Sequence, residues 1–279
     1  MSKGKIITFS IISLIIVLNI VLFGAIFRLR KQTVILGEDI TYTKEDIINT
    51  ANLKNGKSIF LLDKEKAISN IETKFADLKV VQIKTTSVTE IEIKVRKRYE
   101  TYFIKNLGSY YVMDQDLKVL RIVPDTELEQ IAEIEQLVQI TTKVKNLDAE
   151  TKIADFLGTD VQKNMAYNLF SAVYETQMPG KEIGAAAHIK FCSLIKEVSF
   201  DNGYTASGQV YDRLIIKTTQ GMTFDIGKAT NDLPRKINIC FTAMASDKIQ
   251  DKTKGTITIS YDANGKEIKT YSDGESSSD

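Results

Sequence analysis

Histidine occurs once in the 279 residues of this chain, at His188, and that scarcity weighs against triad and zinc chemistry before any motif is sought. A Ser-His-Asp triad has only one possible base here, and it stands in a helical stretch beside no nucleophile motif. His188 and Cys192 share the i, i+4 spacing of one helix face. A zinc site, however, needs about four protein ligands, or three and a water, and no further Cys/His cluster follows. Cysteine is nearly missing too: Cys192 and Cys240 do not make a disulfide framework. They are either one extracytoplasmic pair or, as the apolar surroundings "KFCSL" and "NICFT" favour, small buried hydrophobes. The charge lacks a sign, with 37 Lys and Arg against 36 Asp and Glu, so nothing draws the chain as a whole toward nucleic acid. No catalytic residue, cofactor or metal is expected.

What the chain has is one long apolar run. Ile6 to Phe27, "IITFSIISLIIVLNIVLFGAIF", is 22 residues without a charge, enough at ~1.5 Å per residue to cross a ~30 Å hydrocarbon core. A cleaved signal peptide usually has a shorter apolar core of roughly 7–15 residues and a small-residue cleavage site. This run instead leads directly into "RLRK", which favours an uncleaved anchor. Lys3 and Lys5 precede it and Arg28, Arg30 and Lys31 follow, so charge alone does not orient it. Residues 1–5 are expected in the cytoplasm and residues 6–27 in the membrane.

After the anchor, "KQTVIL" reads as a short strand, and Thr43 as the cap of a helix with Glu45 and Asp46 in its first turn. A turn at Asn55-Gly56 precedes a short apolar run, Ile59 to Leu62, expected to be extended. Asp63 then caps a second helix with Ala67, Ile68, Ile71 and Phe75 on one face. Two strands follow: "LKVVQIK", alternating Val81 and Ile83 with Gln82 and Lys84, and "TEIEIKVRKR", with Ile91, Ile93 and Val95 on one side. The stretch "ANLKNGKS" before "IFLLD" imitates a Walker A loop and Walker B strand. A phosphate-binding loop follows a strand and opens a helix; here the order is inverted and Ala51 falls inside the preceding helix, so no nucleotide is expected. The basic run Lys94 to Arg98 reads as a solvated strand end, or else a touchpoint for lipid or a partner.

The remainder opens with a hairpin, "TYFIKN" and "SYYVMD" about Leu107-Gly108, where Asp114 and Asp116 read as turn formers. Val161, Met165, Leu169 and Val173 mark an amphipathic helix, and a second helical stretch spans about 181–195. Three strands, a helix in "NDLPRKINICFTAMAS" and a last strand, Thr256 to Tyr261, complete the pattern. The predicted class is α+β: a single transmembrane helix, a small β-α-α-β-β domain over 28–98, an antiparallel-sheet β domain with flanking helices over 99–262, and a disordered acidic tail over 263–279.

This ordered series resembles the FtsQ/DivIB cell-division family, whose POTRA domain carries the text "G-x-[NS]-[IL]-F-x-[IL]-D" between two helices. Gly56, Ser58, Ile59, Phe60, Leu62 and Asp63 match it. "YYVMDQDLKVL" is similar to the family's hairpin opening the β domain, with Leu117 where the family has glycine. "FDIGKATNDLPRKINICFTAM" and "GTITISYD" are similar to its late strand, helix and final strand. The resemblance implies a single-pass membrane protein with a cytoplasmic N-terminus and extracytoplasmic domains, not an enzyme. It also implies a divisome scaffold that holds partners resembling FtsL and FtsB/DivIC and acts indirectly on septal peptidoglycan synthesis.

From the residues alone, Thr256–Tyr261 is expected at a sheet edge, open to a partner strand or simply guarded by the charged tail. The resemblance favours the first and implies a partner-binding set of Arg235, Lys236, Thr256, Ile257, Thr258, Ile259, Ser260 and Tyr261. Membrane lipid, through the anchor, is the remaining expected partner. An anchored extracytoplasmic sensor or ligand-binding protein is the alternative, but no convergent polar cluster marks a cleft for it.

Overall fold

The computed structural model describes residues 26–142, 160–181, 184–204, 208, 210–228, 232–261 and 266–273. The expected N-terminal segment and nearly all of the expected anchor, residues 1–25, lie outside them. Among the described residues no helix is long and apolar enough to cross a membrane. The fold is α+β, and the chain divides into two compact units, one ending at Arg98 and the other beginning at Tyr99.

The first unit runs β1 (Lys31–Leu36), α1 (Lys44–Ala51), a 3-10 turn (Ile59–Leu61), α2 (Lys64–Lys74), β2 (Leu78–Ser87) and β3 (Glu90–Lys97). Its sheet has the order β1-β3-β2, with β1 parallel to β3 and β2 antiparallel to it. Two helices between β1 and the β2–β3 hairpin supply the crossover that a parallel pair needs. Thr43 and Asp46 form a reciprocal capping box: the Asp46 N–H donates to Thr43 Oγ1 at 3.1 Å and the Thr43 N–H to Asp46 Oδ2 at 3.0 Å. Asp63 caps α2 by accepting from the Lys66 N–H at 2.9 Å. Ile91, Ile93 and Val95 are fully buried, in one core with Val34, Ile47, Ala67 and Ile71.

Three local expectations need correction. Ile59–Leu61 is a 3-10 turn rather than an extended run, and it buries only Ile59. Val81 faces solvent, because a bulge between Val80 and Gln82 shifts the alternation by one residue. The basic run does not end as a solvated cluster. Arg98 is buried, its Nε donating to the Leu78 carbonyl at 2.8 Å and its Nη2 pairing with Glu72 Oε2 at 2.7 Å. The other Glu72 oxygen accepts from the Val80 N–H at 2.9 Å, so one carboxylate ties α2 to the start of β2 and to Arg98.

The second unit contains β4 (Tyr102–Asn106), β5 (Ser109–Met113), β6 (Val119–Pro124), α3 (Leu128–Ile134), β7 (Val138–Thr142), α4 (Asp160–Gln177) and α5 (Ala185–Leu194). It continues with β8 (Ile195–Tyr204), β9 (Val210–Thr218), β10 (Thr223–Lys228), α6 (Leu233–Ala245), β11 (Thr256–Tyr261) and β12 (Glu267–Ser272). The expected antiparallel sheet is in fact a nine-stranded mixed sheet of order β12-β11-β10-β9-β8-β7-β4-β5-β6. Its parallel joints are β4–β7, β7–β8 and β10–β11. Helical chain separates the strands at each of these joints, which is the physical reason for the parallel pairing.

Met165, Leu169 and Val173 of α4 pack in the main core with Phe191, Val198, Leu214, Phe224 and Ile237, on one face of the sheet. The side chain of Val161 lies outside the described residues. A smaller cluster, Phe103, Tyr110, Val112, Val123 and Ile134, places α3 against the opposite face of the β4–β6 end. Leu107 and Gly108 both take positive φ, 44° and 77°, in the two-residue loop between β4 and β5. In the next turn Asp114 Oδ1 accepts from the Asp116 and Lys118 N–H groups, each at 2.9 Å, while buried Leu117 adopts φ 61°.

Candidate partner-binding surface

The expected surface centres on β11 and α6, and the structure redistributes its residues. β11 is not an edge. It pairs in parallel with β10 on one side and antiparallel with β12 on the other, from Thr256↔Ser272 to Tyr261↔Glu267. Residues 267–272, expected in a disordered tail, form that last strand, and residues 274–279 lie outside the described set. Ile257 and Ile259 point into the main core. Thr256, Thr258 and Ser260 are half-buried on the opposite face, as strand alternation requires. Tyr261 pairs through its backbone with Glu267; its side chain lies outside the described residues.

The two basic residues of α6 part company. Arg235 is exposed and joins two carboxylates: Asp232, just before the helix, and Glu267 of β12, with Nη1 at 3.2 Å from Glu267 Oε1. Hydrogen bonding to Glu267, and then to Asp232, raises the Arg235 pKa further. The same Arg235 contact, the largest cause, lowers the pKa of Glu267. Lys236 is not the surface contact that the resemblance implies. It is fully buried, its ammonium reaches the carbonyls of Ile226 and Lys228, and desolvation lowers its pKa. One helical step therefore separates a basic side chain that grips the edge strand from one that fastens α6 to the end of β10.

Beyond Lys236, Ile237, Cys240 and Phe241 hold α6 on the sheet, with Phe241 edge-on to Phe224 at 5.3 Å between ring centres. β12 is held from the other direction by Gly255. This residue has φ 104°, and a Cβ there would lie 2.7 Å from the Ser272 carbonyl oxygen and 2.8 Å from the Tyr271 ring. The outer strand is thus seated where only glycine leaves room. Ile268 and Tyr271 are exposed along it, and Lys269 shares Glu267 at 3.7 Å.

The sheet face away from α6 is polar at this end. Arg213 forks onto Asp225 across β9 and β10, and Lys217 pairs with Glu197 at 2.8 Å, which also accepts from Thr141 at 3.0 Å. These ion pairs lie within the sheet and cross-link strands.

The chemically suggestive residues elsewhere are buried or partly buried. His188 is buried, with Nδ1 2.7 Å from Thr101 Oγ1 and its ring stacked on Phe170 at 4.5 Å. Cys192 and Cys240 are both free thiols. Burial pushes Cys192 to about 11 and Cys240 to about 12, so neither is a thiolate at neutral pH. Among the described residues no group of three His, Cys, Asp or Glu side chains is placed to hold a metal ion.

The sequence reading missed β12, and with it Glu267, Lys269 and Tyr271. The signal was present in "YDANGKEIKTYS", where Asn264-Gly265, the strongest short-range hairpin dipeptide, stands between two strand-like runs. A scan against protein-family models finds no match to this chain, and a search of curated proteins finds none either.

Proposed function

We propose that this chain is a non-enzymatic scaffold of the bacterial division machinery, similar to FtsQ/DivIB proteins. Residues 6–27 anchor it, with the POTRA domain and the β domain outside the cytoplasm. It binds partners resembling FtsL and FtsB/DivIC and so links them to septal peptidoglycan synthesis. Three features support the reading. The first unit has the β-α-α-β-β order, and Gly56 to Asp63 serve as turn, 3-10 segment and helix cap between its helices. Leu117, which stands where the family carries glycine, holds the left-handed backbone that glycine adopts most easily. The observation that carries the proposal is the open end of the large sheet, where β12 and α6 lie side by side through Arg235 and Glu267.

An exposed edge offers main-chain hydrogen bonds to an added strand, and alternate side chains supply specificity. On this reading the partner strand pairs with β12, while Thr256–Tyr261 support that edge from within the sheet. The test is capture of a coiled-coil partner pair by the full chain carrying proline at Lys269 or, separately, at Thr270. Adjacent residues of an edge strand direct their N–H groups alternately inward and outward. One of the two variants therefore keeps β12 in place, as amide exchange would verify, and that variant is expected to lose capture. Undiminished capture would refute edge pairing, and an even membrane distribution of a fluorescent fusion, rather than midcell placement, would refute the division role.

A further inference from the structure

The first unit exposes apolar side chains that its fold does not need. Phe60 is 70% exposed and Leu61 79%, both in the 3-10 turn, and Val88 is 50% exposed at the tip of the β2–β3 hairpin. Single exposed apolar residues are ordinary, but a contiguous group marks a contact surface. Here Phe60 and Val88 share one groove, and Leu61 follows Phe60 in the chain. Phe27, Ile59, Phe60 and Val88 line one shallow groove whose floor is the Thr85–Ser87 strand end, and the rings of Phe27 and Phe60 lie 5.2 Å apart.

Phe27 is also the last residue of the 22-residue apolar run. Its position relative to the turn is fixed by backbone bonds: the Ile59 N–H donates to the Phe27 carbonyl at 2.8 Å, the Leu29 N–H to Lys57 at 2.9 Å, and the Gly56 N–H to Leu29 at 2.8 Å. Arg28 and Ser58 complete this ladder as an isolated antiparallel bridge. The end of the apolar run and the exposed turn therefore move as one piece. A run that enters a bilayer carries the turn to the boundary between headgroups and acyl chains, where aromatic and aliphatic side chains are stable and neighbouring Arg and Lys meet lipid phosphates. Arg28 and Lys57, both exposed, occupy that flanking position.

We propose that Phe60, Leu61 and Val88, with Phe27, form a lipid-contact surface that seats the first unit in the membrane interface. The proposal rests on the anchor reading of residues 6–27. Its occupant is lipid rather than a protein, because the patch includes Phe27, the last residue of the apolar run, and basic residues flank it.

The chain has no tryptophan, so Leu61→Trp introduces a single indole reporter at an exposed position. The full chain is placed in vesicles of phosphatidylcholine and phosphatidylglycerol, with or without bromine on the upper acyl chain. Leu61→Trp is expected to emit at shorter wavelength than in detergent-free unfolded chain and to lose about half its emission to brominated lipid, consistent with burial ~5–10 Å deep. Val88→Trp replaces the first reporter if circular dichroism shows that Leu61→Trp does not fold. A chain that floats with the vesicles but is not quenched overturns the lipid-contact proposal and leaves the anchor standing. A blue shift without quenching overturns it in favour of contact with a second copy. A chain that does not float refutes the anchor reading, and the proposal with it.

Discussion

In the first unit β1 leaves the sheet once, passes through two short helices, and the β2–β3 hairpin closes the sheet beside it. In the second unit the chain leaves the growing sheet repeatedly, and β4 finds its second neighbour, β7, only after β5, β6 and α3 have intervened. Both units cover a sheet with helices and both combine hairpins with distant returns, Lys31 pairing with Glu90 in the small one as Gln139 pairs with Glu197 in the large one. The small sheet needs one such return and the large one three, so local patterning leaves more of the second architecture undetermined. Three experiments would break or sharpen that contrast.

The largest effect is expected where the first unit depends on a non-local tie. Glu72→Ala leaves the Arg98 guanidinium buried without its carboxylate and removes the acceptor of the Val80 N–H. Breaking such a pair from one side costs about 3–5 kcal/mol. Denaturant unfolding should register that loss, with amide exchange fastest in β2. A change under about 1 kcal/mol would mean that local order suffices to hold this unit.

An intermediate effect is expected at the outermost strand of the second unit. Gly255→Ala puts a methyl group against the Ser272 carbonyl and forces alanine to φ 104°, a conformation that costs of order 1–3 kcal/mol. Amide protection should fall across 267–272 and remain in β8 and β9. Equal loss throughout the sheet would show that β12 is integral to the core rather than an addition to it.

The smallest effect reaches both units through acid. Asp46 is held below the usual carboxylate range first by its hydrogen bond to the Thr43 side chain, and Glu267 by its hydrogen bond to Arg235. A carboxylate with a depressed folded pKa contributes stability above its unfolded value of about 4, and that contribution is lost as pH falls through the lower folded value. Below about pH 4, α1 should fray at its first turn and β12 should loosen. Asp46 is exposed and Glu267 is partly buried beside an exposed Arg235, so the change is small at α1 and modest at β12, and both are best followed by amide exchange. Arg235→Gln should remove the acid response of β12 and leave that of α1 intact.

The same contrast explains what could be read in the residues. Thr43, Asp63 and the Ile91, Ile93, Val95 alternation were legible because a cap or a strand face is decided within a few residues. Val81 was misread because a bulge changes parity without a mark in composition. The joints β4–β7, β7–β8 and β10–β11 were misread as antiparallel although helices between strands imply crossovers. At the candidate surface, α6 was legible as a helix in "NDLPRKINICFTAMAS". The fates of Arg235 and Lys236 were not, because one residue's rotation around a helix separates solvent from the end of β10. β12 was hidden by its own composition: an outer strand with one face in solvent is as polar as a tail.

The three parallel joints also set an order of events during folding. Hairpins such as β4–β5 and β8–β9 close short loops and form early, whereas a parallel joint must first close a loop containing whole elements, at greater entropic cost. The large sheet is therefore expected to assemble from preformed hairpins, with docking of α4 and α6 as the slow steps. β11 and β12 can pair with each other early, but their hairpin joins the large sheet only when α6 has brought β11 beside β10. The edge proposed to receive a partner strand is then among the last parts to be seated on the sheet, so an incompletely folded chain would present it only as a detached hairpin.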